Sequence, residues 1–415
     1  MSSAHGARRR TELAPAVVVH FLVPFVVRFI VSAAGAARAL LATRIHFAAL
    51  GLLGGAWGAH IPSVKLRHDL GEAMLSIVLL AAASGAVASL FFAGRVIGRL
   101  GVRRATALAA VAQSAMLALA LCWPSLALLL PAMVVFGASM SLYDVAINTE
   151  GTTLESLAGR PVMSGLHGMF SVGAMAGAAL VGALLLAGVA PAVQLAAIGG
   201  AIATAALVAT RAMLPAHPPS LQPDPAGDEA AAAPAVAHFA WPRGRLLAIG
   251  LMIFAGMAAE GVMYDWCVLY LKQELGMAQS SAAMGYAAFT GAMAVARFGG
   301  DRLRARWRDL PLLRASALLA AAAMATALIV GQPALAIVGY ALVGVGLAPI
   351  VPILFTAATK VPGSSRAAAI AAVSSIGYAG FMIGPPLIGG IAQGWSLTAA
   401  MGVVVVAALA LALGA

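Results

Sequence analysis

The chain has 415 residues, of which 62% are hydrophobic and only 9% charged, and its formal net charge at pH 7 is +11. A soluble domain carries roughly 25% charged residues, so this composition excludes a water-soluble fold for most of the chain. The basic residues lie at the ends of apolar runs, which argues against a nucleic-acid-binding face. Runs such as 105–121 are apolar on every face, which favours membrane-spanning helices over the alternating strands of a β-barrel.

Residues 1–44 are predicted to be an N-terminal extension outside the main fold. Residues 13–41 are apolar enough to span a membrane, but Arg28 interrupts them together with a histidine and a proline. A charge at that depth is costly. A thirteenth helix, a signal-like segment and an over-extended reading frame are the three alternatives. We favour the third, because an extra span would put Arg38 and Arg44 on the opposite side from the three arginines near the start.

Twelve candidate spans follow, since a membrane-spanning helix needs about twenty apolar residues. The first six lie near residues 45–62, 74–94, 104–122, 126–148, 163–187 and 191–211. The last six lie near residues 246–270, 281–299, 312–330, 334–357, 367–392 and 396–414. Between them, residues 213–244 are rich in proline, alanine and acidic residues, which is typical of a flexible linker. The predicted organisation is a first half at 45–212, a linker, and a second half at 245–415.

The positions of lysine and arginine predict the orientation of the spans. If the first span of the repeat runs outward, 21 of the 25 basic residues lie on the inner side and 3 on the outer side. Such a bias marks cytoplasmic loops, so the linker is expected on the cytoplasmic side.

An internal repeat supports the division into halves. The segment Gly94-Arg-Val-Ile-Gly-Arg-Leu-Gly-Val-Arg-Arg104 has a counterpart about two hundred residues later in Arg297-Phe-Gly-Gly-Asp-Arg-Leu-Arg-Ala-Arg306. Two parallel repeats of six spans, joined by a cytoplasmic linker, indicate a two-bundle carrier.

The first of these segments resembles the signature loop of the major facilitator superfamily, Gly-x-x-x-Asp-Arg-x-Gly-Arg-Arg. Its matching residues are Gly94, Arg99, Gly101, Arg103 and Arg104. Gly98 stands at the aspartate position, and the second copy keeps Asp301 and Arg302 but has Arg297 in place of the leading glycine. The segments 144–148 and 260–271 resemble a bacterial branch of the superfamily related to sugar permeases.

The resemblance covers residue 44 to the end and implies an all-α membrane fold with two six-helix bundles and alternating access. It also implies a multi-pass protein of the bacterial cytoplasmic membrane. Under this resemblance the loop charges form a cytoplasmic latch between the bundles, made in one state and broken in the other. The latch candidates are Arg99, Arg103, Arg104, Asp301 and Arg302. The alternative is that these residues only set the membrane topology, because a basic residue stops a helix at the membrane surface.

Ionisable groups inside the spans are candidate site residues, because a charge in a bilayer is costly. At about 1.5 Å per residue, His60 and Glu260 each lie roughly 22 Å from the start of their span, which predicts matching positions in the halves. The resemblance implies that the first and seventh helices face each other. We therefore expect Glu260 to bind the coupling proton with the help of His60. The alternatives are that Glu260 is a structural acid and that His60 lies at the membrane interface.

Five further residues complete the predicted substrate or proton site: Trp57, Asp144, Asn148, Tyr264 and Asp265. Asp144 and Asn148 share one helix face and form either an inner-cavity site or a latch to loop arginines. Tyr264 lies one turn after Glu260 on the same helix face, whereas Asp265 is rotated from Glu260 by about 140° around the helix. Asp265 serves either structural capping or substrate recognition. Trp57 either stacks on a ring of the solute or anchors the helix at the membrane interface.

Glycines and prolines predict close helix contacts and bends. The first span carries two small-xxx-small pairs formed by Gly51, Gly54, Gly55 and Gly58. Gly173, Gly177, Gly377, Gly384 and Gly389 are expected to act likewise. The Gly384-Pro-Pro386 break bends its helix and frees carbonyl groups that a cavity can use.

The predicted function is secondary transport of a small polar or amphiphilic solute, coupled to protons, by a monomer in the lipid bilayer. A membrane receptor or assembly protein with the same fold is the alternative. No P-loop, HExxH or Cys-x-x-Cys pattern occurs, so neither an enzyme nor a cofactor or metal is expected. The identity of the solute and the direction of transport stay open.

Overall fold

The computed structural model describes residues 13–215, 217, 243–362 and 366–415. Inside the helices, the side chains of residues 13–34, 301–302, 304–305, 366–368 and 371 lie outside the described part. The described residues form thirteen helices and no strand. The first six are α1 (Leu13–Arg67), α2 (Glu72–Leu100), α3 (Val102–Leu119), α4 (Leu126–Ala158), α5 (Met163–Leu186) and α6 (Pro191–Thr210).

The remaining helices are α7 (Arg245–Gln273), α8 (Gln279–Arg306), α9 (Asp309–Val330), α10 (Pro333–Leu347), α11 (Ile350–Ala358), α12 (Arg366–Gly394) and α13 (Leu397–Gly414). α10 and α11 are two parts of one crossing, because Pro349 between them has no N–H to continue the helical ladder. Ten crossings are long and apolar enough to span a membrane, among the residues that the structure describes. The other two, α3 and α8, begin or end in clustered arginines.

Several helices run beyond the apolar windows that predicted them. α4 continues ten residues past the predicted end at 148, and α8 seven residues past 299. Hydropathy marks only the part of a helix that lies in hydrocarbon, whereas the backbone ladder continues until a stop signal. For α4 that signal is Gly159, which takes the left-handed conformation at φ 61° and caps the helix.

The helices pack as two sets of six crossings. In the first, α1 packs against α5, α2 against α4, and α3 against α4 and α6. In the second, α7 packs against α12 and α13, α8 against α10, and α9 against α10 and α13. This arrangement confirms the predicted all-α membrane fold with two six-helix bundles. The domain boundaries predicted at 44, 212 and 244 stay predictions, since residues 1–12 and 218–242 lie outside the described part.

The molecule has two ends, which we name the linker face and the hairpin face. The linker face is the end at which α6 finishes and α7 begins, and the hairpin face is the end with the α1–α2 and α7–α8 turns.

At the linker face, the segment after α6 is held by a buried carboxylate of α4. Glu150 accepts a hydrogen bond from the Leu214 amide at 2.7 Å and pairs with Nε2 of His217 at 2.5 Å. The first residues after α6 are therefore attached to the first half.

The closest helix crossing in the first half joins α1 and α5 through glycines on both sides. A Cβ on Gly51 or Gly55 would run into the backbone carbonyl groups of Phe170 and Ala174, respectively. Gly173 and Gly177 are equally confined by the backbone of α1. This confirms close approach at these four positions. Gly54, in contrast, has open space where a Cβ would point. The prediction of close helix approach is therefore wrong for Gly54.

This difference gives a matched pair of variants. We expect Gly55→Ala to destabilise the protein by about 1–3 kcal/mol, because overpacking a rigid backbone contact forces the helices apart. Gly54→Ala adds a methyl group to open space and replaces glycine in a helix, so we expect it to be neutral or stabilising by up to ~1 kcal/mol. Thermal unfolding in detergent measures both. Equal stabilities of the two variants would contradict the backbone contact at Gly55.

Candidate functional site

An ion pair lies in the interior between the two halves. Arg297 of α8 donates from one terminal nitrogen to Oε1 of Glu260 in α7 at 3.1 Å. Its other terminal nitrogen donates to the hydroxyl of Ser171 in α5 at 2.8 Å. The hydroxyl of Tyr264 donates to the same carboxylate oxygen at 2.8 Å. Arg297 thus connects an acid of its own half to a hydroxyl of the other half.

The cluster satisfies charges that a membrane interior would otherwise exclude. The side chains of Arg297 and Glu260 are only 19% and 13% exposed. A guanidinium forms several directed hydrogen bonds at once, which suits it to bind a carboxylate and a hydroxyl together. Ser164, the second residue of α5, donates to the backbone carbonyl of Arg297 at 3.2 Å and adds a second link between α5 and α8. The pair is therefore both neutral overall and fixed between the halves.

Arg297 is the site residue that sequence reasoning missed. As the first residue of the second copy of the repeated segment, it was counted among the basic residues of the inner side, although it lies within the predicted span 281–299. α8 in fact continues for nine residues beyond it, to Arg306. One signal was available: Arg297 occupies the position of the leading glycine of the signature and lies within a predicted span, where a charge is costly.

His60 does not meet Glu260 in this structure. It is fully buried and lies between α1 and α6, with Nε2 at 3.2 Å from the Gln194 side-chain oxygen and Nδ1 at 3.1 Å from the Ser63 hydroxyl. Glu260 instead faces α8. The two residues therefore have separate partners.

The predicted matching positions of His60 and Glu260 are wrong, because the register between the halves differs from the assumed one. The second helix of the first hairpin begins at Glu72 and that of the equivalent hairpin at Gln279, an offset of 207 residues. The same offset relates the bond from Lys65 to Glu72, at 2.6 Å, to the bond from Lys272 to Gln279, at 3.2 Å. With this offset Glu260 corresponds to position 53, two turns before His60. The prediction measured depth from the expected start of each span, near residues 45 and 245, and these two positions do not correspond under the offset of 207.

The halves contact each other at the hairpin face. Gln279 of α8 donates from its side-chain amide to the Ala59 carbonyl at 2.9 Å and to the Ser63 hydroxyl at 2.8 Å. Gly389 of α12 packs against Ser76 of α2. α5 and α8 pack along their length, from Ser164 near the linker face to Gly182 near the hairpin face. No comparable packing joins α4 to α10 or α11 among the described residues. At the linker face, α4 thus lies apart from α10 and α11, whereas α5 and α8 stay in contact.

Polar side chains of α4, α5 and α12 lie beside this gap. Asn148 donates to the Asp144 backbone carbonyl at 2.8 Å and to its carboxylate at 3.0 Å, so the two side chains form one unit. The ring of Tyr378 in α12 is 37% exposed and lies within electrostatic range of Asp144. His167 is exposed, near Arg297, with its ring 5.3 Å from that of Phe47. The latch of Asp144 to loop arginines is absent from the described ion pairs.

Trp57 and Asp265 lie in other surroundings. Trp57 is 7% exposed and packs on Phe136 with ring centroids 5.3 Å apart, so in this structure it belongs to the core of the first half. Asp265 lines a small cavity between α7 and α12 that also contains Phe381 and Pro385. It points away from the Glu260 cluster, as its rotation along the helix predicts.

The predicted latch residues are not joined across the halves in the described part. Arg103 donates to the carbonyl groups of Thr210 at 3.1 Å and Arg211 at 2.8 Å, and so caps the end of α6 within the first half. Arg99 and Arg104 are exposed. The side chains of Asp301 and Arg302 lie outside the described residues. The latch stays a prediction. No group of three or more histidine, cysteine or acidic residues that could hold a metal ion occurs in the described ranges.

A family model described as the Major Facilitator Superfamily matches residues 45–373 of this chain. The chain belongs to the Major Facilitator Superfamily. An uncharacterized MFS-type transporter of Yersinia pestis is 35% identical over 375 residues, which cover 90% of this chain and 94% of that protein. Membrane protein MosC of Rhizobium meliloti is 30% identical over 362 residues, covering 87% of this chain and 86% of its own.

Solved structures of other superfamily members share the fold. The nucleoside transporter NupG matches with a TM-score of 0.70 at 15% identity, covering 90% of this chain and 98% of that one. The fucose:proton symporter FucP of E. coli matches with a TM-score of 0.62 at 15% identity, covering 90% and 97%. At these identities the likeness shows the fold alone. Together with the family match, it establishes a multi-pass membrane protein of the superfamily's transporter architecture.

Proposed function

We propose that this chain is a secondary transporter that moves a small polar or amphiphilic solute by alternating access, coupled to protons through Glu260. The observation that carries the proposal is the ion pair of Glu260 and Arg297, joined to Ser171 of the other half. A protonatable group at the boundary between two moving bundles is positioned to make solute binding depend on its proton.

The electrostatics of the cluster favour joint binding of proton and solute. With Glu260 ionised, the pair is neutral. With Glu260 protonated, Arg297 carries an uncompensated positive charge in a confined site, which is unfavourable unless another electron-rich group replaces the carboxylate. An oxygen-rich solute can supply that group. Proton and solute therefore bind cooperatively, and their release reforms the ion pair.

The contacts between the halves support alternating access. They are held together at the hairpin face by Gln279 and apart at the linker face near Asp144. We assign the linker face to the cytoplasm and the protein to the bacterial inner membrane, because the linker face carries most of the lysine and arginine. In this assignment the structure is the inward-facing state, and closing the gap beside Asp144 and His167 would open the hairpin face.

The names of similar proteins agree with this class of function. NupG is named as a nucleoside transporter and FucP as a fucose:proton symporter. Both named solutes are small and polar. A receptor or assembly protein with the same fold remains the second candidate, since one relative is named only as a membrane protein.

Reconstituted liposomes separate the two candidates. The protein is inserted into vesicles containing a pH-sensitive dye, and nucleosides, sugars, organic acids and amino acids are added in turn. A proton-coupled transporter is expected to give solute-dependent proton flux for one class and none for the others. Solute binding in a thermal-shift assay without any flux would instead favour the receptor.

A further inference from the structure

We infer that Asp265 and the proline-broken part of α12 form a binding site for a small monovalent cation, separate from the pair of Glu260 and Arg297. The cation is Na⁺ or the ammonium head of a solute. The inference does not depend on the proposed transport function, because binding alone tests it.

The site begins with a carboxylate that lacks a described counter-charge. Asp265 lies within α7, eight residues before its end at Gln273, and is only partly exposed. None of the described side chains forms an ion pair or a hydrogen bond with it. An ionised carboxylate in a membrane helix is costly unless a cation or proton compensates it. Asp265 therefore requires a proton or a bound cation, since the described protein groups supply no counter-charge.

The opposite wall supplies oxygen acceptors. In a regular helix the carbonyl groups of Phe381 and Met382 would accept from the amides four residues later, but these positions hold Pro385 and Pro386, which have no N–H. Oxygen ligands from a broken helix and a carboxylate are the groups that bind Na⁺ in other transporter folds.

Asp265, Phe381 and Pro385 line one cavity, together with Gly261, Gly380 and Gly384. The cavity has room for about one water-sized group. A dehydrated Na⁺ and a primary ammonium head both have that size. The Phe381 ring, which packs over Gly261, adds an aromatic face that attracts cations.

The site differs from the proposed proton site in helix face and neighbours. Glu260 faces α8 and α5, whereas Asp265, rotated by about 140° around the same helix, faces α12. The cation site lies within the second half, so removing the charge at Glu260 is expected to leave it intact.

Thermal unfolding of the purified full chain in detergent tests the site. Sodium chloride and methylammonium chloride are compared with choline chloride at equal ionic strength. We expect one of the two small cations to raise the Tm of the wild type, of Glu260→Gln and of the control Asp69→Asn. Asp69 is an exposed turn residue whose φ of 49° suits asparagine equally. Asp265→Asn is expected to lose the stabilisation, with an apparent Kd raised more than about tenfold.

A second variant covers the case in which Asp265→Asn does not fold. Pro385→Ala restores an amide donor to the Phe381 carbonyl while keeping the carboxylate, and we expect about tenfold weaker cation binding. Radioactive Na⁺ binding to the wild type gives an independent readout. Stabilisation by methylammonium alone assigns the site to an ammonium head. No effect of either cation, or an equal effect in Asp265→Asn, overturns the inference.

Discussion

Glu260→Gln is expected to abolish proton-driven accumulation of the solute while leaving passive exchange across the vesicle membrane. Glutamine keeps the size of the side chain and an acceptor for Tyr264 and Arg297, but it cannot carry a proton from one side to the other. For one proton per solute, a driving force of 100 mV is worth about 2.3 kcal/mol, which corresponds to roughly 50-fold accumulation. The variant should reach a ratio of about one.

The measurement uses the liposome assay with the solute that the panel identifies. Counterflow, in which unlabelled solute inside exchanges for labelled solute outside, reports the rocking of the halves without net proton movement. We expect counterflow to persist in Glu260→Gln. Asp69→Asn removes an acid from an exposed turn and serves as the matched control, with accumulation unchanged. Undiminished accumulation by Glu260→Gln would exclude this residue from coupling.

Arg297→Ala is expected to be the most destabilising of the site variants and to stop transport completely. It leaves the Glu260 carboxylate without its cation and the Ser171 hydroxyl without its donor. Removing one partner of a buried ion pair costs about 3–5 kcal/mol, because the other charge stays behind in a poorly solvated site. Arg67→Ala at the exposed end of α1 is the control, with a change within about 0.5 kcal/mol.

A double-mutant cycle distinguishes a lost ion pair from a general packing defect. Glu260→Gln combined with Arg297→Gln removes both charges, so we expect it to be more stable than Arg297→Gln alone. Transport should remain absent, since neither proton nor solute finds its charged partner. Thermal unfolding of the four proteins measures the coupling. Additive effects of the two substitutions would show that the side chains do not act as a pair.

The two copies of the signature loop depart from the superfamily pattern at different positions. Arg297 occupies the place of a signature glycine, whereas Gly98 replaces the signature aspartate in the first half. The first-half copy has no charge at the signature aspartate position, and the second-half copy has an arginine at the signature glycine position that reaches the interior. Arg103 meanwhile caps α6 rather than contacting the second half. The two copies of one loop thus have different tasks.

The sequence predicted the twelve crossings, the two bundles and the superfamily. These follow from composition and from the repeated loop, because lipid permits only structures that satisfy their own backbone hydrogen bonds. It also proposed Glu260 and Asp144 as candidate site residues, since an ionisable group in an apolar helix stands out without any knowledge of its neighbours. The pairing of Asp144 with Asn148 follows from helical spacing alone.

Only the tertiary structure decided which of these residues meet. His60 binds Gln194 of α6, and Glu260 binds Arg297 of α8. The hairpins that contain them are offset by 207 residues rather than two hundred. An error of two helical turns moves a side chain by about 10 Å, far beyond hydrogen-bond distance. Hydrophobic runs fix where a helix lies in the membrane but not its depth to within a turn or its rotation. The packing of the two halves and the partner of each buried charge depend on both the depth and the rotation of the helices.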